Sequence, residues 1–289
     1  MVPRRVNDPD AAPLGFRRID AREPVRPPDL EPADPIVMVH GFAQNGRCWG
    51  PIDVALAAKH ELLLVDAPGH GTSRTSEFDL IESGEAIAAV GGLGTYCGYS
   101  MGARMCLHVA LNHPDRVTHL ILISATAGIE DVEQRRDRHR TDNELANRIV
   151  AFGVPAFLHD WLALPMFGGL SDLRQHREER LDNSAEGLAS SLRLAGVGNQ
   201  VPLWDRLHEI AVPVLIIAGT NDKKFAQLAT RISAGIGGNA ECVLVANAGH
   251  SVHLDQPDVV VNLILEWLAR TTRSETRQLR PSETSARDE

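Results

Sequence analysis

Three residues of this chain could together move a proton or attack a carbonyl, provided the fold brings them to one point. Ser100 lies in Gly98-Tyr99-Ser100-Met101-Gly102, a G-x-S-x-G element. A sharp turn of this kind needs glycines, because a side chain there would strike neighbouring backbone. It lifts the serine oxygen to the N-terminus of the next helix, where N–H groups and the helix dipole favour negative charge. A serine hydroxyl is a poor nucleophile or base unaided. His250, in Asn247-Ala248-Gly249-His250, offers an imidazole to take its proton. Asp222, in Gly219-Thr220-Asn221-Asp222, offers a carboxylate to fix the imidazole tautomer and stabilise the cation. Singly, these are a surface histidine and a turn aspartate; three suitable residues at three strand ends favour catalysis.

Two further turns bear on the same chemistry. His40-Gly41-Phe42 follows an apolar run. The N–H of Phe42 would pair with the N–H of Met101 as an oxyanion hole; otherwise Phe42 merely packs. In Asp66-Ala67-Pro68-Gly69-His70-Gly71 the proline and glycines are what a tight turn demands, so His70 reads as structural.

These residues need elements to position them. Short apolar runs occur at residues 36–40 (IVMVH), 62–66 (LLLVD), 94–99 (GTYCGY), 120–124 (LILIS), 214–218 (VLIIA) and 242–245 (CVLV). Runs of this length, separated by helical stretches, predict a parallel sheet buried on both faces, an α/β fold. Residues 258–269 predict a closing amphipathic helix. Between 125 and 212 no strand is predicted. That stretch reads as helices carrying Phe152, Phe157, Trp161 and Phe167, broken at Pro155, Pro165 and Gly168-Gly169. A helical insert between two strands of a parallel sheet sits over the strand ends, where ligands bind, so it is expected to be a lid. The division is then a core of 36–124 and 213–270, a lid of 125–212, an extended or mobile arm of 1–35 holding 8 of the 17 prolines, and a polar tail of 271–289.

Composition narrows the function. A 289-residue chain is long enough to bury a core without staples. A net charge of -9 argues against nucleic-acid binding and against an anionic membrane surface. Cys48, Cys97, Cys106 and Cys242 show no CxxC spacing, so neither a disulfide framework nor a zinc site is expected. No apolar run approaches the ~20 residues of a membrane span. The first residues, MVPRRVNDPD, lack the apolar core of a secretory signal. A cytoplasmic location is the expectation.

The nucleophile turn, the HGF turn and the Ser, Asp, His order resemble the α/β-hydrolase superfamily over about residues 36–270. Seven finer segments resemble one family within it, the 2-succinyl-6-hydroxy-2,4-cyclohexadiene-1-carboxylate synthases of menaquinone biosynthesis: HGFAQNGRCW (40–49), DAPGHGTS (66–73), GYSMGAR (98–104), SATAGIEDVEQRRDRHRTD (124–142), VPLWDRL (201–207), GTNDKKF (219–225) and NAGHSVHLDQP (247–257). Ala103 departs from a glycine common in that family. The resemblance implies an α/β-hydrolase fold with a helical lid, and a carbon–oxygen lyase rather than a hydrolase. It would eliminate pyruvate from 2-succinyl-5-enolpyruvyl-6-hydroxy-3-cyclohexene-1-carboxylate, with Ser100, His250 and Asp222 abstracting a proton. No metal or organic cofactor is required for that chemistry.

A small-molecule polycarboxylate is the partner this implies, and guanidinium forks suit it. Arg104 stands one helical turn after Ser100 on the same face, which favours substrate contact over a salt bridge beneath the helix end. The stretch 125–212 holds 10 arginines but 14 acidic residues, so it is no basic patch. From it the resemblance selects Arg138 and Arg180 as carboxylate ligands, and Trp161 as a pocket wall or polar contact; it adds Tyr99 in the same role. Two rivals stand beside the lyase: a serine hydrolase, either an esterase or a carbon–carbon bond hydrolase on an acidic substrate, and a non-catalytic binding module.

Overall fold

The computed structural model describes residues 13–21, 34–167, 170 and 175–278. Among these, seven strands form one sheet in the order β1-β3-β2-β4-β5-β6-β7. They are β1 (Phe16–Ile19), β2 (Ile36–Val39), β3 (Leu62–Val65), β4 (Gly94–Tyr99), β5 (Val117–Ile123), β6 (Val214–Gly219) and β7 (Ala240–Val245). Every pairing from β3 to β7 is parallel. That agrees with near-continuous apolar runs, since parallel strands are covered on both faces.

Alternate side chains of each strand enter one of two cores. Val37, Val39, Tyr96, Leu120, Leu122 and Ile216 pack under α2 (Leu80–Gly91), α3 (Met101–Asn112) and α7 (Lys223–Ile236). Ile36, Met38, Leu64, Ile121 and Ile217 pack under α1 (Pro51–Leu56), α8 (Val252–Asp255) and α9 (Pro257–Gln278). Each such side chain, fully buried, contributes roughly 1.5–3 kcal/mol. Helix starts are capped where the sequence permits: Asp79 and Glu82 form a reciprocal capping box on α2.

The stretch between β5 and β6 is helical among the described residues. It holds α4 (Val132–Leu162), α5 (Arg177–Arg180) and α6 (Ala185–Ala195). Gly153, at φ 80 and ψ 166, breaks α4 two residues before Pro155. The insert has its own core of Ala146, Ile149, Phe157, Leu188 and Leu192, and Ala43 from the loop after β2 joins it. It therefore rests on the loop that follows β2.

Both chain ends differ from expectation. Residues 16–19, read as part of an arm, form edge strand β1, antiparallel to β3 with Phe16 opposite Val65. Four residues reading FRRI, three of them exposed, give no apolar run to detect. The tail expected from 271 begins as helix: α9 continues to Gln278, because helix propensity and the covered first turns carry it beyond the last apolar residue. The rest of the expected arm and tail, residues 1–12, 22–33 and 279–289, lies outside the described residues, as do Gly168, Gly169 and Arg174 of the insert.

Candidate active site

The C-terminal ends of the parallel strands lie at one edge, and each chemical residue stands just beyond such an end. Ser100 follows β4 with φ 52 and ψ -104, a left-handed conformation that a non-glycine residue adopts at a cost of about 1–2 kcal/mol. Its N–H is tied to Ile123 O at 2.9 Å. The flanking glycines are required by contact. A Cβ on Gly98 would lie 2.5 Å from Ala103 Cα, and one on Gly102 would lie 2.0 Å from Val39 O. Ala103, the departure from the family, is fully buried there.

Ser100 Oγ and His250 Nε2 are 3.0 Å apart, and His250 Nδ1 and Asp222 Oδ2 are 2.9 Å apart. His250 is buried between the rings of Phe225 and Tyr99, at 4.4 and 5.6 Å. Its carbonyl accepts from Ser124 Oγ at 2.7 Å. Asp222 also caps α7, its Oδ1 accepting the Phe225 N–H at 3.2 Å. Burial alone would raise its carboxyl. The His250 bond, the Phe225 N–H and the Lys224 charge outweigh burial and hold it below the ordinary carboxylate range. The arrangement can draw a proton from the hydroxyl and return it elsewhere.

The two expected oxyanion donors lie beside this relay. Met101 is the first residue of α3, so its N–H has no partner within the helix. Among the described residues the Phe42 N–H has no protein acceptor. Gly41 lies against the Tyr99 ring, where a Cβ would approach Cε1 to 2.7 Å.

The predicted substrate residues divide. Tyr99 is 3% exposed, with its hydroxyl 2.8 Å from Ser251 Oγ. Burial pushes that hydroxyl up to about 12. It supports the His250 ring from below. Arg104 is 7% exposed and forms no salt bridge among the described residues; its Nη1 donates to Ala195 O at 2.9 Å, with Gln200 Oε1 at 3.5 Å. Burial, and then the charge of Arg138, lower it to about 10. Arg138 donates through Nε to Asp142 Oδ1 at 2.7 Å. Arg180 is 1% exposed, with Nε on Gln175 O at 2.7 Å and Nη1 on Ala43 O at 3.1 Å. Trp161 meets the Phe42 ring edge to face, with centroids 5.5 Å apart, and its indole N–H is buried without a partner among the described residues.

Sequence reasoning passed over Ser124, Phe225, Ser251 and Gln200. Gln200 is 1% exposed and its amide nitrogen has no partner among the described residues. Only its place beside Arg104 reveals it; a glutamine in a loop carries no signal. A cavity of about 600 Å³ opens beside the relay, lined by Asp222, Lys223, Gly249, His250 and Asp255 among others. Two others of about 620 and 690 Å³ lie at the β1 edge and in the crease of α4, away from Ser100.

A sheet of this order, with a strained serine after β4 bonded to a histidine that is bonded in turn to an aspartate, the two coming from the ends of the last two strands, defines an α/β-hydrolase scaffold. The chain belongs to the alpha/beta hydrolase family, whose sequence pattern matches residues 36–263. It is 32% identical over 254 residues to the putative 2-succinyl-6-hydroxy-2,4-cyclohexadiene-1-carboxylate synthase of Bacillus subtilis, covering 82% of this chain and 90% of that one. It is 28% identical to the synthase of the same name from Escherichia coli O1:K1, over 81% of this chain and 93% of that one. Among solved structures, MenH from S. aureus superposes with a TM-score of 0.81 at 29% identity, covering 89% of this chain and 98% of that chain.

Proposed function

We propose that this chain is a lyase of menaquinone biosynthesis. It eliminates pyruvate from 2-succinyl-5-enolpyruvyl-6-hydroxy-3-cyclohexene-1-carboxylate to give 2-succinyl-6-hydroxy-2,4-cyclohexadiene-1-carboxylate. The likeness to the two named synthases over more than four fifths of the chain supports this reading. The observation that carries it at the site is Arg180, a buried guanidinium beside the oxyanion loop with no ion-pair partner among the described residues. An unpaired buried cation costs several kcal/mol, and a substrate carboxylate relieves that cost.

The reaction needs a C–H bond beside the succinyl ketone to break. Ser100 Oγ takes that proton while passing its own to His250 Nε2, and Asp222 stabilises the imidazolium. The negative charge settles on the ketone oxygen, held by the N–H groups of Phe42 and Met101; one such donor is worth roughly 3 kcal/mol. As the enolate collapses, a new ring double bond forms and the C–O bond to the enolpyruvyl group breaks. The departing enolate takes up a proton and becomes pyruvate. Arg104, Arg138 and Arg180 hold the carboxylates, Trp161 lines the pocket, and residues 125–212 act as the lid that excludes water from the core of 36–124 and 213–270. The substrate is a small metabolite, and the chain works in the cytoplasm. No helix among the described residues is long and apolar enough to cross a membrane.

Pyruvate release from the enolpyruvyl substrate, measured beside hydrolysis of an aryl ester, tests the reading. The expected result is fast pyruvate release, slow ester turnover, and a loss of at least about 1000-fold in pyruvate release for Ser100→Ala. Fast ester turnover without pyruvate would sink the lyase in favour of a serine hydrolase.

A further inference from the structure

The peptide expected to hold the oxyanion is gripped by two histidines. His40 and His70 are 1% and 0% exposed, with ring centroids 5.1 Å apart. His40 Nε2 accepts the N–H of Ala67, from the loop after β3, at 3.0 Å. His70 Nε2 accepts the N–H of Ala43, from the loop after β2, at 3.1 Å. Each loop thus hangs on the other's imidazole. With Nε2 an acceptor, Nδ1 carries the hydrogen of a neutral ring. His40 Nδ1 donates to Gly41 O at 2.8 Å, and His70 Nδ1 donates to Pro68 O at 2.9 Å. Burial keeps both rings neutral; it pushes His70 down to about 3, aided by the neighbouring His40, and lowers His40 against the pull of Asp66.

The consequence falls on Phe42. Gly41 C=O and Phe42 N–H belong to one trans peptide, so they point in opposite directions. A bond that fixes the carbonyl therefore fixes the N–H. The Gln44 N–H adds a second bond to the same carbonyl at 3.2 Å. The next residue, Ala43, sits at φ 58, a conformation that persists in a non-glycine residue only when its surroundings enforce it. His70 holds its N–H and Arg180 its carbonyl.

We propose that His40 and His70 are positioning residues of the reaction, a reciprocal pair of neutral imidazoles that sets the Gly41–Phe42 peptide with its N–H facing the charge that develops above Ser100. This rests on the oxyanion role proposed above for Phe42 and is independent of which substrate is turned over. A purely structural pair would change stability and leave the transition state alone.

Isosteres separate the two ring nitrogens. His40→Asn keeps a donor where Nδ1 stands and loses the acceptor; His40→Gln keeps an acceptor where Nε2 stands and loses the donor. Pyruvate release and melting temperature are measured for both. His40→Gln is expected to lose about 100-fold in kcat with KM within about threefold, and His40→Asn to stay within about fivefold of the parent. Equal losses in the two variants, a loss confined to KM, or a His40→Gln enzyme with parental kcat overturns the proposal. If His40→Gln does not fold, His70→Gln and His70→Asn are compared instead: the glutamine, which keeps the acceptor for Ala43, should retain kcat and the asparagine lose it, and the reverse or equality overturns the proposal. A parent that releases no pyruvate overturns the assigned reaction alone. The same variants are then compared on a p-nitrophenyl ester, whose oxyanion uses the same peptide, with the same outcomes deciding. A parent inactive on both substrates removes the premise and the proposal with it.

Discussion

Arg180 and Arg104 are both buried, and both touch backbone carbonyls rather than carboxylates. A carbonyl meets only part of the demand of a buried cation, since a charged acceptor bonds a guanidinium about twice as strongly as a neutral one. Two consequences can be measured. Arg180→Met should change the melting temperature little, because the desolvation penalty it removes offsets the loss of its bonds to Ala43 O and Gln175 O. The same variant should lower kcat/KM for pyruvate release by about 100-fold, with Arg180→Lys giving little rescue because it lacks the planar fork. Arg104→Ala should damage pyruvate release and spare turnover of a neutral ester. Unchanged pyruvate release in Arg104→Ala would mean that its guanidinium serves only to tie α3 to α6.

At the scale of elements, the meeting of β2 with the start of α3 is the tightest joint near the site. Gly102 lies so close to Val39 and His40 that a Cβ would overlap two carbonyl oxygens, at 2.0 and 2.6 Å. Backbone cannot move aside as a flexible side chain can. Gly102→Ala is therefore expected to destabilise by about 3 kcal/mol or more, read as a shift in the urea midpoint, and to abolish activity. Gly238→Ala, at a glycine with nothing within 4 Å, is the control and should change stability by no more than about 0.5 kcal/mol. The insert depends on a different device. Its longest helix turns at Gly153, and Arg148 and Asp160, from either side of the break, pair at 3.1 Å. Both are exposed, so the bend is set by glycine and the following proline more than by that ion pair.

For the molecule as a whole, buried histidines make stability depend on pH. Burial pushes His70 and His253 down to about 3 and His108 down to about 4, while the unfolded chain protonates each near the ordinary value of 6.5. Between those limits the unfolded state binds more protons, so stability is full above 6.5 and falls as the pH drops. At pH 5 the loss is roughly 2 kcal/mol for each histidine. Urea midpoints at pH 7.5 and 5.0 check this: the midpoint should fall markedly at the lower pH, and equal midpoints would show that these rings are hydrated in solution. Asp222 acts lower on the scale. Its carboxyl is depressed, so its contribution holds above the ordinary carboxylate range and is lost only as pH falls below it.

Some of this protein is a matter of local pattern. The central strands were legible because buried parallel strands must be continuously apolar, and Ser100, Asp222 and His250 were legible because turns at strand ends bear chemistry in a fixed chain order. Residues 16–19 and 271–278 escaped because an exposed edge strand and an extended final helix leave no apolar signature. Tertiary structure alone decided what each polar side chain touches. Tyr99 meets Ser251 beside His250, and the loops of His40 and His70 closed on one another through hydrogen bonds that each span 27 residues. Such pairings depend on angles and distances of a few ångströms between elements remote in the chain, which neither residue type nor spacing encodes.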